Sequence, residues 1–254
     1  MAKIVSFSNQ KGGVGKTTSC VNIAAQIANK GKRVLIVDLD PQGNATSGLG
    51  LSKSKIKKTI YDVLIGRCGT EEAIVKTRFK NLSIIPATID LAGAELELYD
   101  LDDGANFTEK LPLASVSENF DYIFIDCPPS LGMLTVKALS TSDGVVIPMQ
   151  CEFYSLEGMS QLLNTVKKIR QLYNPTLQIV GILLTMYNGR LTLTNQVVAE
   201  LRKYYQDLLF KVPISRTVRL SEAPSYGAPI CYHDPYGKGS LEYAAVAKEL
   251  MLRI

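Results

Sequence analysis

No stretch of this 254-residue chain reaches about 18 uninterrupted apolar residues, so no membrane span is indicated. No C-x-x-C pair occurs among the five cysteines Cys20, Cys68, Cys127, Cys151 and Cys231. That argues against a zinc site or a disulfide framework and leaves reduced thiols in a cytosolic protein as the expectation. Internal repeats, low-complexity tracts and Pro/Gly/Ser-rich linkers are missing as well, so one domain over 1–254 is the simplest organisation. Histidine occurs once, as His233 beside Asp234-Pro235, and reads as a turn residue rather than a catalytic one. The first apolar run begins near Lys3, which leaves no room for a signal peptide.

What is present fits a soluble globular protein: 46% hydrophobic and 20% charged residues. A chain of this size buries roughly 70–75% of its unfolded surface, ample for a large core. The net charge of +4 is compatible with a polyanionic partner without requiring one.

Apolar β-rich runs at 3–8, 33–38, 82–86, 121–126, 143–148 and 178–185 alternate with helix-like stretches at 16–30, 131–141, 155–173, 192–206 and 239–252. Several of the runs lack polar alternation, as strands covered on both faces do. The pattern predicts an α/β fold, a mostly parallel central sheet with helices on both faces.

Between the first run and the first helix lies Asn9-Gln10-Lys11-Gly12-Gly13-Val14-Gly15-Lys16-Thr17-Thr18. Glycines at 12, 13 and 15 let backbone wrap a phosphate. Lys16 brings a point charge to the β/γ oxygens, Thr17 a hydroxyl to Mg²⁺, and the helix its free N–H groups. The match to G-x-x-x-x-G-K-[ST] is imperfect, because Gln10 stands at the first glycine and an additional lysine, Lys11, follows it.

Such a loop needs a carboxylate for the metal at the end of a nearby apolar strand. Asp126, after Tyr122-Ile123-Phe124-Ile125 and before Cys127-Pro128-Pro129, is the candidate, holding Mg²⁺ through a water. The second strand ends in Asp38-Leu39-Asp40, and period-two geometry puts both carboxylates on one side. Either could position the attacking water, and the residues alone leave that choice open.

Lys11 to Thr18 resembles the deviant Walker A motif of the ParA/MinD ATPases. Asp38 to Gly50 resembles the chromosome-partitioning ParA branch, also called Soj. So do Pro86-Ala87-Thr88, Asp126 to Gly132, Pro148-Met149-Gln150-Cys151-Glu152 and Val218 to Ser225. The resemblance spans nearly the whole chain. It implies a P-loop NTPase fold, hydrolysis of ATP with Mg²⁺, and a homodimer closed over two ATP molecules. In such a dimer Lys11 reaches the partner's phosphates, Gly12 lies at the contact between the loops, and Val14 and Thr18 complete the nucleotide loop. Asp40 takes the water-positioning role, with Asp38 in support. The resemblance further implies that the ATP dimer binds double-stranded DNA without sequence preference, and that a ParB-type centromere-binding protein stimulates hydrolysis. The expected location is cytoplasmic and nucleoid-associated, without stable membrane association. The start of the first strand near Lys3 is expected to leave no amino-terminal DNA-reading domain.

Sequence-independent DNA binding needs cations facing phosphates. By similarity, Arg190 and Arg219 fall where the family places DNA-contacting arginines. Lys53, Lys55, Lys57 and Lys58 form another basic cluster, of a kind more often found as a solvated face. Relatives usually read Ile-Pro-Arg-Asn before Val-Arg-Leu. This chain has Ile214-Ser215-Arg216-Thr217 with its proline at Pro213. Because that loop lies near the base in the family, Pro213 and Arg216 are expected beside the nucleotide. Segment 99–112, with Asp100, Asp102 and Asp103, lacks the arginine-rich helix start of the family.

The rival reading is a MinD-like ATPase that cycles on and off a membrane to position the division site, which needs a carboxyl-terminal amphipathic helix. Residues 241–254 instead resemble a packed terminal helix, with Lys248 and Arg253 as its only basic residues. A ligase such as dethiobiotin synthetase is disfavoured by Lys11 and the Asp40–Asn44 block. The cysteine positions do not suit a relative of the nitrogenase iron protein.

Overall fold

Burial on both faces accounts for the unbroken apolar runs. In the computed structural model, which describes residues 1–94, 97, 110–152 and 155–254, β2 (Val34–Asp38) is buried at every position. Its Val34 and Ile36 join one core with Val5, Phe7 and Phe124. Leu35 and Val37 join another with Ile85, Ile123 and Ile125. A strand with a core on each face has no polar side to show, which explains the missing alternation.

Among the described residues seven strands form one sheet in the order β3-β4-β2-β5-β1-β6-β7. They are β1 (Lys3–Phe7), β2, β3 (Val75–Lys76), β4 (Leu82–Ile85), β5 (Tyr122–Asp126), β6 (Gly144–Gln150) and β7 (Gln178–Thr185). All pairings are parallel except that of β3 with β4. β3 is a two-residue edge strand that the sequence pattern does not reveal. It is too short to carry a period.

Helix α1 (Lys16–Asn29) packs with the last helix, α9 (Lys238–Arg253), on one face of the sheet through Ile23, Ile27, Tyr243, Val246 and Leu250. Leu134 and Ala138 of α4 (Met133–Thr141) belong to the opposite face. A third cluster joins α5 (Ser155–Leu172) and α6 (Thr192–Tyr205) to β6 and β7. The short helices α2 (Asn44–Gly48), α3 (Ile60–Leu64), α7 (Val218–Glu222) and α8 (Ile230–His233) are too brief for sequence periodicity to show. The mostly parallel sheet with helices on both faces is the one the sequence pattern predicts, and the fold is the P-loop NTPase fold that the resemblance implies. Of the acidic segment, Tyr99 to Glu109 lies outside the described residues.

The connection after β1 crosses to β2, two places away, and the chain later crosses to β6 on the other side of β1. In open α/β sheets a ligand crevice forms at the carboxyl ends of strands where the order reverses. The loop after β1 lies at that point.

Candidate functional site

Gly13 (φ 73°) and Gly15 (φ 84°) take the left-handed conformation that glycine tolerates and other residues rarely adopt. Gly15 is also the residue before α1, so no side chain caps the first N–H groups of that helix. They remain available to an anion.

Neighbouring strands hold the loop in shape. The Asn9 amide donates to the Pro148 carbonyl at 2.7 Å and accepts from the Lys11 N–H at 3.0 Å. The Gln150 amide donates to the Gly13 carbonyl at 2.9 Å, and the Thr185 hydroxyl to that of Val14 at 2.8 Å. Nothing in the sequence marks Thr185, and Gln150 stands in a family-like block without a role of its own. Both belong to strands far away along the chain, so only the sheet brings them to the loop.

The two lysines behave differently. Lys16 is buried, and its ammonium donates to the Lys11 carbonyl at 3.0 Å. Burial lowers its pKa, against which Asp126, Cys127 and Asp40 act. The side chain of Lys11 leaves the cleft and pairs with Glu152, both partly exposed.

Asp38, Asp40 and Asp126 are all buried near the loop, with Asp38 and Asp126 in register on adjacent strands. Asp38 is fully occupied: it accepts from the Thr46 hydroxyl at 2.7 Å, the Thr46 N–H at 2.8 Å and the Asp40 N–H at 3.3 Å. Burial pushes its carboxyl up to about 6 despite these bonds. Asp40 accepts from the Gln42 N–H at 2.9 Å and lines the cleft. Asp126 is fully buried with neither oxygen in a hydrogen bond. Burial, then the charge of Asp38, push its pKa well up, and the nearby Thr17 hydroxyl offsets part of that.

An unpaired buried carboxylate beside a hydroxyl is a costly arrangement unless a cation completes it. Among the described residues no group of three or more His, Cys, Asp or Glu forms a metal cage. Mg²⁺ suits such a site, since it binds through one or two protein oxygens plus phosphates and keeps several waters. Thr17 and Asp126 would hold it, and it would neutralise charge developing on the phosphates.

The cleft encloses about 470 Å³. Gly12, Gly13, Gly15, Lys16, Thr17, Thr18 and Asp40 line it together with Val21, Asn22, Ala223, Pro224, Ala228 and Pro229. Pro213 and Arg216, expected beside the nucleotide, are not among the residues that line it. Pro213 lines a separate cavity with Tyr187 and Arg202, and Arg216 is exposed. The reason is backbone pairing. Phe210 and Ile214 donate to Ile182 and Leu184 of β7, and Ser215 bonds Glu242, so the segment runs along the sheet and enters the cleft only at 223–229. Arg190 lies exposed in the loop after β7, and Arg219 lies exposed on α7, 3.3 Å from Glu222. No hydrogen bond joins these two arginines among the described residues. His233 ends α8, its ring 4.8 Å from that of Tyr226.

Comparison with known proteins decides what this cleft serves. A family model described as an AAA domain matches residues 2–179. Over 250 residues the chain is 52% identical to the sporulation initiation inhibitor protein Soj of Bacillus subtilis (strain 168), covering 98% of each. It is 47% identical to the chromosome partitioning protein ParA of Myxococcus xanthus (strain DK1622), covering 100% of this chain and 89% of that one. The chain belongs to the ParA/Soj family of partitioning ATPases. A similar solved structure is cobyrinic acid a,c-diamide synthase from Mycobacterium smegmatis with bound ATP analogue and magnesium. It is 35% identical, with a TM-score of 0.86 over 98% of this chain and 93% of that one. This ParA/Soj-family chain is an ATP hydrolase with ATP and Mg²⁺ as its cofactors. Its type is a partitioning ATPase, and ATP-dependent dimerisation is a property at the level of the family. No helix among the described residues is long and apolar enough to cross a membrane.

Proposed function

We propose that this ParA-family ATPase is switched by ATP into a homodimer that binds double-stranded DNA without sequence preference, in the cytoplasm and associated with the nucleoid. A ParB-type centromere-binding protein stimulates hydrolysis and so releases the DNA. The observation that carries the dimer is the position of Lys11. Lys16 already supplies the lysine charge to the phosphate loop of its own chain, and Lys11 points away from that cleft to a surface carboxylate. An ammonium that its own cleft leaves unused supports a role toward a second cleft facing it. Asp40, whose carboxylate accepts one hydrogen bond among the described residues and which lines the cleft, is proposed to position the water. A lipid-binding role finds little support in α9, because Tyr243, Val246, Ala247 and Leu250 are buried in the core and only Leu241 and Leu252 are left as exposed large apolar residues of the described helix.

Binding of a random-sequence duplex, with and without ATP and Mg²⁺, tests the DNA reading. Binding is expected only with both, and Arg219→Ala is expected to weaken it. ATP-independent binding, or none at low salt, would overturn it. Asp40→Ala is expected to retain ATP-dependent dimers and lose turnover. Unchanged hydrolysis would remove Asp40 from its role.

A further inference from the structure

Residues 53–80 contain eight basic and three acidic residues, a net charge of +5, while the whole chain carries only +4. The basic excess is therefore concentrated in about a tenth of the sequence, and the remainder is nearly balanced.

The acidic residues of this segment are largely committed. Asp62 accepts from the Thr59 N–H at 2.9 Å and hydroxyl at 3.0 Å, capping α3. Glu72 accepts from the Gly69 N–H and pairs with Lys58. Lys53 donates to the Gln42 carbonyl. The side chains of Lys55, Lys57, Lys76 and Lys80 are exposed, and among the described residues they form no ion pair or side-chain hydrogen bond. Four uncompensated ammonium groups on neighbouring segments repel one another, and a polyanion relieves that repulsion.

The fold ties the segments that carry these lysines to the chain just after the helix of Arg219. The Arg78 guanidinium donates to the carbonyls of Tyr226 and Gly227, each at 3.0 Å, fastening 76–80 to the chain just after α7. Gly50 and Gly227, both at positive φ, touch backbone to backbone so closely that a Cβ on Gly227 would lie 2.5 Å from Gly50 Cα. The lysine-rich segment begins three residues beyond that contact. Residues 53–58, 76–80 and α7 are thus tied to one another through the 226–227 turn.

We propose that Lys55, Lys57, Lys76 and Lys80 form a phosphate-contacting surface continuous with Arg219, so that the DNA footprint extends across this basic face. The inference rests on the DNA reading above. Lysines that meet phosphates supply affinity and salt dependence and carry no sequence information, which matches binding without sequence preference.

The test uses the full chain with ATP and Mg²⁺, a random-sequence duplex and a salt titration. Replacing all four lysines by glutamine is expected to weaken binding equally for different sequences. The slope of log Kobs against log[salt] should fall by about 0.9 for each phosphate that is no longer neutralised, up to roughly 3–4 per protomer. Basal ATP turnover and melting temperature are read in the same variant to show that it is folded. Lys57→Glu with Lys80→Glu supplies a smaller change if the fourfold variant does not fold, and should weaken binding further than the matching glutamines. Unchanged affinity and slope in a folded variant, with Arg219→Ala still impaired, would overturn the surface while leaving DNA binding intact. Loss of stimulation by a ParB-type protein without any change in slope would also overturn it, and would give the face to a protein partner. No ATP-dependent DNA binding by the unaltered chain would overturn the DNA reading itself, and this surface with it.

Discussion

Lys11 pairs with Glu152, just beyond the carboxyl end of β6, while Lys16, on the same loop, turns inward to the carbonyl of Lys11. One loop thus carries a lysine committed to its own cleft and a lysine held beside it by a carboxylate. The pair is partly exposed, with side-chain accessibilities of 38% and 53%, so it contributes about 0–1 kcal/mol. Glu152→Gln is expected to move the ATP concentration at half-dimerisation downward by no more than about fivefold, because a dimer must release the pair. Light scattering against ATP concentration measures this. An upward shift would show that Glu152 supports the dimer instead. Lys11→Ala is expected to remain monomeric at any ATP concentration.

Asp126 is a buried carboxylate without a hydrogen bond. Asp126→Asn removes that charge, so the nucleotide-free protein should become more stable or stay unchanged. The additional stabilisation that Mg²⁺ gives beyond ATP alone should be lost. Melting curves with no ligand, ATP, and ATP with Mg²⁺ check both halves. A variant stabilised by Mg²⁺ as strongly as the original would remove Asp126 from the metal site.

The elevated carboxyls set a pH dependence with a definite sign. Asp38 titrates at about 6 in the folded chain, against about 3.9 for an unfolded aspartate. Between these values the folded state holds more protons than the unfolded state, so stability falls as pH rises through the window. Asp126, pushed up by burial and by Asp38, carries the fall to higher pH. Asp121 and Glu72 have lowered pKa values, and their opposite contribution lies below about pH 4. The melting temperature of nucleotide-free protein is expected to decline from about pH 4.5 to about pH 7, with a shallower slope in Asp38→Asn. A rise across that range would contradict the assignment.

Gly227 has φ 59° and almost no space in front of its Cα. Gly227→Ala should cost roughly 1–3 kcal/mol through left-handed strain and the collision with Gly50. Denaturant unfolding measures the loss. The same change at Gly66, also left-handed (φ 74°) but facing open space, should cost less. Equal losses at both positions would mean that conformation alone, and not the Gly50 contact, sets the effect.

The central strands and long helices are legible in the sequence because each has a period or an apolar run long enough to register. β3 and the short helices are not, since two to five residues show no period. The sequence also marks Lys16, Thr17 and Asp126 as candidates, because phosphate and metal binding call for those residue types after a strand, whereas the choice of Asp40 over Asp38 rests on the family resemblance. The far part of the 213–229 segment is a different matter, since Pro213 and Arg216 are expected beside the nucleotide while the cleft is lined by Ala223, Pro224, Ala228 and Pro229. That loop is paired along β7, a constraint that lies between segments and leaves no local mark.

The amino-acid sequence alone determined the class of chemistry, since a glycine-rich loop with Lys16 and Thr17 has few uses other than holding phosphate. It also determined which strands are buried on both faces, because that requires unbroken apolar runs. Tertiary structure decided how those parts are committed. It gave Asp38 to Thr46, left Asp126 unpaired, turned Lys11 toward Glu152 and tied the lysines of 53–80 to the helix of Arg219. The reason is one of distance. Hydrogen bonds, burial and charge act over a few ångströms of space, and hydrogen-bonded side chains of this fold lie as many as 224 residues apart along the chain, as Ser19 and Tyr243 do.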